Sequence, residues 1–142
     1  MTKSGVTINF TDNTKKFSRQ VSKNMTTAIT DVTLDMKRVA SASAPHDTGF
    51  LEKNASHDIQ VGAKYVEGTV GFSARDKGFD YATWTHDATY NLGKKSARKT
   101  GGKSKYGAGS VAVGKGYLTN TLSTNQNGYF NHMLSAYKDA LK

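Results

Sequence analysis

"FSRQVSKNMTTAITDVTLDMKRVASASAP", residues 17–45, is the stretch on which the fold turns. Phe17, Val21, Met25, Ala28, Ile29, Val32, Met36 and Val39 recur at spacings of three and four, the repeat of one helix face. A helix of about 25–30 residues is predicted. It ends near Ala44, because Pro45 disfavours helical geometry in the residue before it. Asp12 or Thr11 is placed to cap its start. One small domain rarely covers so long a stripe, so part of it is expected to face a partner.

Outward from the helix the period changes to two. Val6, Ile8 and Phe10 alternate on a short N-terminal strand. Beyond the turn, His57, Ile59 and Val61 share one face of a strand, and Val66, Val70 and Phe72 share a face of the next. The intervening "VGAKY" is compatible with a hairpin, although Gly68 and Gly71 weaken the second strand. "FDYATWTHDATY", residues 79–90, reads as a third strand with Phe79, Tyr81 and Trp84 as its bulk. Periodicity is lost over residues 94–116. It returns as helical spacing in Phe130, Met133, Leu134, Tyr137 and Leu141, with Asn125 or Asn127 as the cap. The expected plan is helix, three-stranded antiparallel sheet, long loop, helix. That is an α+β fold, one domain over residues 1–142 with a loop insertion at 94–116.

Composition narrows the classes. The chain has 142 residues, with 36% hydrophobic residues and no cysteine, which excludes disulfides and thiolate metal sites. No stretch approaches the roughly 20 apolar residues of a membrane span, so no membrane partner is expected. The formal charge of +9 is uneven: residues 1–87 hold 11 Lys/Arg against 10 Asp/Glu, and residues 88–142 hold 9 against Asp139 alone. A basic segment of this kind points to a polyanion or an acidic surface, or to a solvated loop.

Three motifs invite a chemical reading. His46-Asp47, His57-Asp58 and His86-Asp87 are acid–base or metal pairs by type. In a strand, adjacent residues point to opposite faces, so His57 and Asp58 do not serve one metal. Turn and cap hydrogen bonds from Asp47 and Asp87 account for the pairs more simply. "GSVAVGKG", residues 109–116, nearly matches a phosphate-binding loop, but Gly116 stands where the magnesium-binding hydroxyl belongs. No nucleophile–base–acid group is apparent. No catalytic, cofactor or metal site is therefore expected. The remaining feature is the basic segment, in which Lys94, Lys95, Arg98, Lys99, Lys103, Lys105 and Lys115 are spread among seven glycines of residues 93–116. Lysines on such a backbone suit sequence-independent phosphate contact or a protein-docking arm.

The order of short motifs resembles the neck proteins of tailed bacteriophages, the tail-completion or head–tail joining proteins often labelled minor capsid proteins. Ala44-Pro45-x-Asp47-Thr48-Gly49-x-Leu51 follows the long helix, then come Tyr81-Ala82, Gly116-Tyr117-Leu118 and a closing helix over residues 128–141. The resemblance covers roughly residues 12–142 in order. Two positions depart from it. Glu52-Lys53 stands where a basic pair commonly follows the Leu, and "WTHDATYNLG" stands where Glu-x-Gly-Thr often follows Tyr-Ala. The resemblance implies that Pro45, Asp47, Thr48, Gly49 and Leu51 are a structural turn. It further implies a non-enzymatic virion protein, assembled in the host cytoplasm, that forms a homo-oligomeric ring, six-fold rather than twelve-fold. Such a ring meets portal- or adaptor-side and tail-side proteins and surrounds the passing DNA. The competing expectation, from the charge alone, is a sequence-independent nucleic-acid-binding protein acting through residues 94–116.

Overall fold

A computed structural model describes residues 4–12, 16–44, 55–72, 75–76, 79–80, 86, 101–107 and 110–142. The expected turn (Pro45, Asp47, Thr48, Gly49 and Leu51), His46 and the basic residues Lys94, Lys95, Arg98 and Lys99 lie outside the described residues.

The long helix, α1, spans Arg19–Ser43. Its N-cap is Ser18, whose hydroxyl accepts from the Val21 amide at 3.1 Å, rather than Thr11 or Asp12. Thr11 is instead the last residue of β1 (Ser4–Thr11), and the Asp12 amide donates to the Lys64 carbonyl. The helix ends as expected: Ala44 has an extended backbone (ψ 143°), the geometry that a following proline imposes. Thr26 and Thr30 donate their hydroxyls to the carbonyls four residues back, which satisfies these hydroxyls within the helix.

β2 (Ala55–Val61) and β3 (Tyr65–Phe72) form the expected hairpin, closed where the Gly62 amide donates to the Tyr65 carbonyl. β3 runs unbroken through Gly68 and Gly71. The third strand of the sheet is β1, giving the antiparallel order β1-β3-β2. The register places Val6 opposite Val70 and Phe10 opposite Val66, while His57 and Ile59 oppose Val70 and Gly68 from the other side. All these residues therefore share one face, and α1 lies across it. Residues 79–90, expected to supply a strand, do not join this sheet where they are described. β5 (Phe79–Asp80) pairs with β4 (Arg75–Asp76) in a separate ladder and His86 is helical, while Tyr81 and Trp84 lie outside the described residues. The alternation of Val6, Ile8 and Phe10 extends the apolar face that β3 already presents, so that strand completes the sheet.

The closing helix, α2, spans Tyr117–Ala140, starting eleven residues earlier than expected. Its buried face is Leu118, Thr121, Asn125, Tyr129 and Met133. Phe130 and Leu141, expected inside, are 58% and 59% exposed. Two polar members of the buried face donate back along the helix: the Thr121 hydroxyl to the Tyr117 carbonyl at 2.7 Å, and the Asn125 amide nitrogen to the Thr121 carbonyl at 2.9 Å. Asn125 Oδ1 is buried without a hydrogen-bond partner among the described residues.

Nor does the α1 stripe wait for a partner. Met25, Ile29, Val32, Met36 and Val39 are fully buried within this chain, among Val66, Val70 and Phe72 of the sheet and Tyr117 and Tyr129 of α2. Phe72 and Tyr117 meet edge-on at 5.2 Å between ring centres, a favoured aromatic geometry. Among the described residues, two long helices over a three-stranded antiparallel sheet make an α+β fold, as expected. The expected continuous loop over 94–116 is interrupted by β6 (Gly102–Lys103) and β7 (Ser110–Val111), an antiparallel pair seated on the helices.

Candidate functional site: a buried carboxylate beneath the basic segment

Asp35, Val39 and Ser43 stand four residues apart on α1, and the segment carrying β6 and β7 is fastened along this row. At one end, Ser43 Oγ accepts from the Gly102 amide and donates to the Val111 carbonyl, both at 2.9 Å, so one hydroxyl holds both strands. In the middle, Gly102 lies flat on the helix. A Cβ there would come within 2.4 Å of the Val39 carbonyl oxygen, so only glycine permits the contact.

At the other end is Asp35, 4% exposed. Its Oδ1 accepts from the Lys105 amide at 3.1 Å and from Arg38 at 2.9 Å. Its Oδ2 accepts from the Ser104 hydroxyl at 2.5 Å and the Tyr129 hydroxyl at 2.7 Å. Burial alone would push this carboxyl up, but the hydrogen bonds from Ser104, Tyr129, the Lys105 amide and Arg38 outweigh it. The group is held below its ordinary value. The same arrangement raises its neighbours. Burial, then the bond to Asp35 and its charge, pushes the Tyr129 hydroxyl far up. Burial followed by the charges of Asp31 and Asp35 raises Tyr106.

A serine beside a carboxylate has the look of a nucleophile, yet Ser104 has no capacity left. It is 7% exposed, donates to Asp35, and accepts from the amides of Tyr106 and Gly107 at 2.9 and 3.2 Å. The cluster is an anchor. Arg38 completes it by donating also to the Lys103 carbonyl at 2.7 Å.

Above the anchor, Lys103 and Lys105 have fixed backbones and exposed side chains. A hollow of about 200 Å³ lies beside Lys105, lined also by Asp31, Leu34, Asp35, Arg38 and Tyr106. Tyr106 stacks on His132 at 4.4 Å, and His132 Nε2 lies 3.1 Å from Asp31. Lys115 is placed apart from this edge, beside the start of α2. Of the seven expected contact residues, the structure thus brings Lys103 and Lys105 together with Arg38, which charge reading along the loop did not include.

Of the three His-Asp histidines, His57 and His86 are described, and they have different partners. His57 is exposed on β2, with Nδ1 3.2 Å from Lys37 Nζ. His86 caps α2: its carbonyl accepts from the Gly116 amide at 2.7 Å and its Nε2 from the Thr119 amide at 3.3 Å. The first turn of α2, where the phosphate-loop reading of residues 109–116 would seat an anion, is thus engaged by His86. Among the described residues, no three or more His, Asp or Glu side chains are grouped to hold a metal, and no helix is long and apolar enough to cross a membrane.

Sequence reading missed Asp35 and Ser43. The signal was present: Asp35 lies three residues after Val32 and four before Val39, an acidic side chain on the edge of the apolar stripe. Buried charges need partners. Ser104 and Tyr129 have no such mark in the sequence. Comparison with protein-family models, curated proteins and solved structures gives no match for the chain.

Proposed function

We propose that this chain is a structural virion protein of a tailed phage, a subunit of the neck ring that joins the tail to the DNA-filled head. The observation that carries the reading is the position of the Ala44-Pro45-x-Asp47-Thr48-Gly49-x-Leu51 run. It begins where a 25-residue helix ends, in a chain that closes with a second long helix led by Gly116-Tyr117-Leu118. In such a ring a subunit works by shape and surface, with no catalytic, cofactor or metal role. A basic segment fastened to two helices is presented without the ordering cost of a free loop. Particles made without this protein should show filled heads and separate tails in electron micrographs. Joined, infectious particles in its absence would sink the proposal.

A second reading, sequence-independent nucleic-acid binding, is favoured by one observation: Lys103, Lys105 and Arg38 lie exposed along one edge, the Lys105 amide and the Arg38 guanidinium bonded to Asp35 and the Lys103 carbonyl to Arg38. Fixed cations on a +9 chain suit phosphates.

A further inference from the structure

A second hollow, of about 470 Å³, lies between β1 and α2, with Ile8, Leu122, Gln126 and Phe130 among its walls. Phe130 stands at its lip, 58% exposed. β1 is an edge strand, and its residues 4–11 make no backbone hydrogen bond on the side away from β3 among the described residues. Neither wall carries a formal charge. Residues 4–11 and 116–137 contain no Asp, Glu, Lys or Arg, on a chain of net charge +9.

We propose that this hollow is where a second copy of the chain docks, about a two-fold axis, with each copy's Phe130 seated in the other's hollow. Charge selects the occupant. An acidic protein or a nucleic acid would be drawn to lysines, and this face has none. Two copies carrying +9 each repel one another, and an uncharged face is where they approach at least cost. Shape agrees, since an exposed aromatic knob and an unfilled hollow side by side on one patch are self-complementary under two-fold symmetry. The free edge of β1 would then run antiparallel to its own copy, which the same symmetry provides. The inference does not depend on the neck reading.

Sedimentation of the purified chain over a wide concentration range tests it. A monomer–dimer equilibrium is expected, and it should strengthen as salt rises and repulsion is screened. Phe130→Glu should weaken the dimer about 30-fold or more, the loss of a central anchor. Gln126→Lys, which sets like charges against each other, should also weaken it. Both side chains are exposed, so melting temperature and circular dichroism should be unchanged. A chain that stays monomeric at all concentrations overturns the proposal, even if the hollow proves to take a strand of an unlike protein. So does a dimer that is indifferent to Phe130→Glu, or one that dissociates as salt rises.

Discussion

Asp35 offers four acceptor positions and fills all four, so its replacement leaves donors facing no acceptor. Asp35→Asn should lower stability by about 2–4 kcal/mol, because the new NH2 replaces one acceptor oxygen and faces donors, either the Ser104 and Tyr129 hydroxyls or the Lys105 amide and Arg38. Urea midpoints would measure it. The pH dependence follows from the directions of the shifts. Asp35 is held below its ordinary value, so its contribution is complete above about pH 4 and fades as the pH falls through its folded value. Tyr129 and Tyr106 are held above theirs, so their contributions are complete below about pH 10 and fade as the pH rises further. Asp35→Asn should flatten the acid limb of stability against pH, and Tyr129→Phe should lessen the alkaline fall. An acid limb unchanged by Asp35→Asn would assign acid sensitivity to other carboxylates.

At the scale of elements, α2 contains a glycine whose replacement tests the seating of the basic segment. Alanine in place of a helical glycine normally gains about 1 kcal/mol. At Gly128 a Cβ would lie 1.8 Å from the Tyr106 carbonyl oxygen, which is backbone held by the Ser104 anchor. Gly128→Ala is therefore expected to destabilise by about 2 kcal/mol or more, reversing the usual sign. A raised melting temperature would show that the segment yields easily. The elements differ in how far the sequence disclosed them. The apolar stripe and the end of α1 were legible, since an apolar side chain every third or fourth residue and a following proline leave one geometry. Its start was not, Ser18 capping it rather than Thr11 or Asp12. The first half of α2 was not legible either, because Thr121 and Asn125 occupy buried positions, and the carbonyls to which they donate come within reach only once the helix exists. Sheet membership was half legible: Val6, Ile8 and Phe10 read as a strand, but alternation says which face is apolar and not which strand lies alongside. Of the site, the lysines were plain from charge. Their anchor was hidden, because Asp35 and Ser104 are 69 residues apart.

For the whole molecule, the open question is what the basic edge meets. If it meets DNA, duplexes of unrelated sequence should bind with similar, weak affinity that falls steeply with salt. Each phosphate contact adds roughly 0.9 to the slope of log affinity against log salt. Replacing Lys94, Lys95, Arg98 and Lys99 with Gln should flatten that slope by up to about 3.6 units. Lys103→Gln with Lys105→Gln should remove up to about two more without moving the fold, since both side chains are exposed. If the four-residue variant binds DNA as before and fails to join heads to tails, the segment is a protein-docking arm.

The pairing of β1 with β3 also sets a timetable for biosynthesis. Ser4 finds its partner at Phe72 and Thr11 at Tyr65, so the first strand is made well before the strand that holds it. At about 5–20 residues per second, the ribosome leaves β1 and the apolar stripe of α1 uncovered for several seconds. Tyr129 and Met133, which close the far side of α1, arrive later still. The nascent chain thus exposes both an apolar helix face and a bare strand edge over the same interval, the conditions under which a chaperone gains most hold. Yield in the cell should then depend on holdase supply more than the stability of the finished fold would indicate.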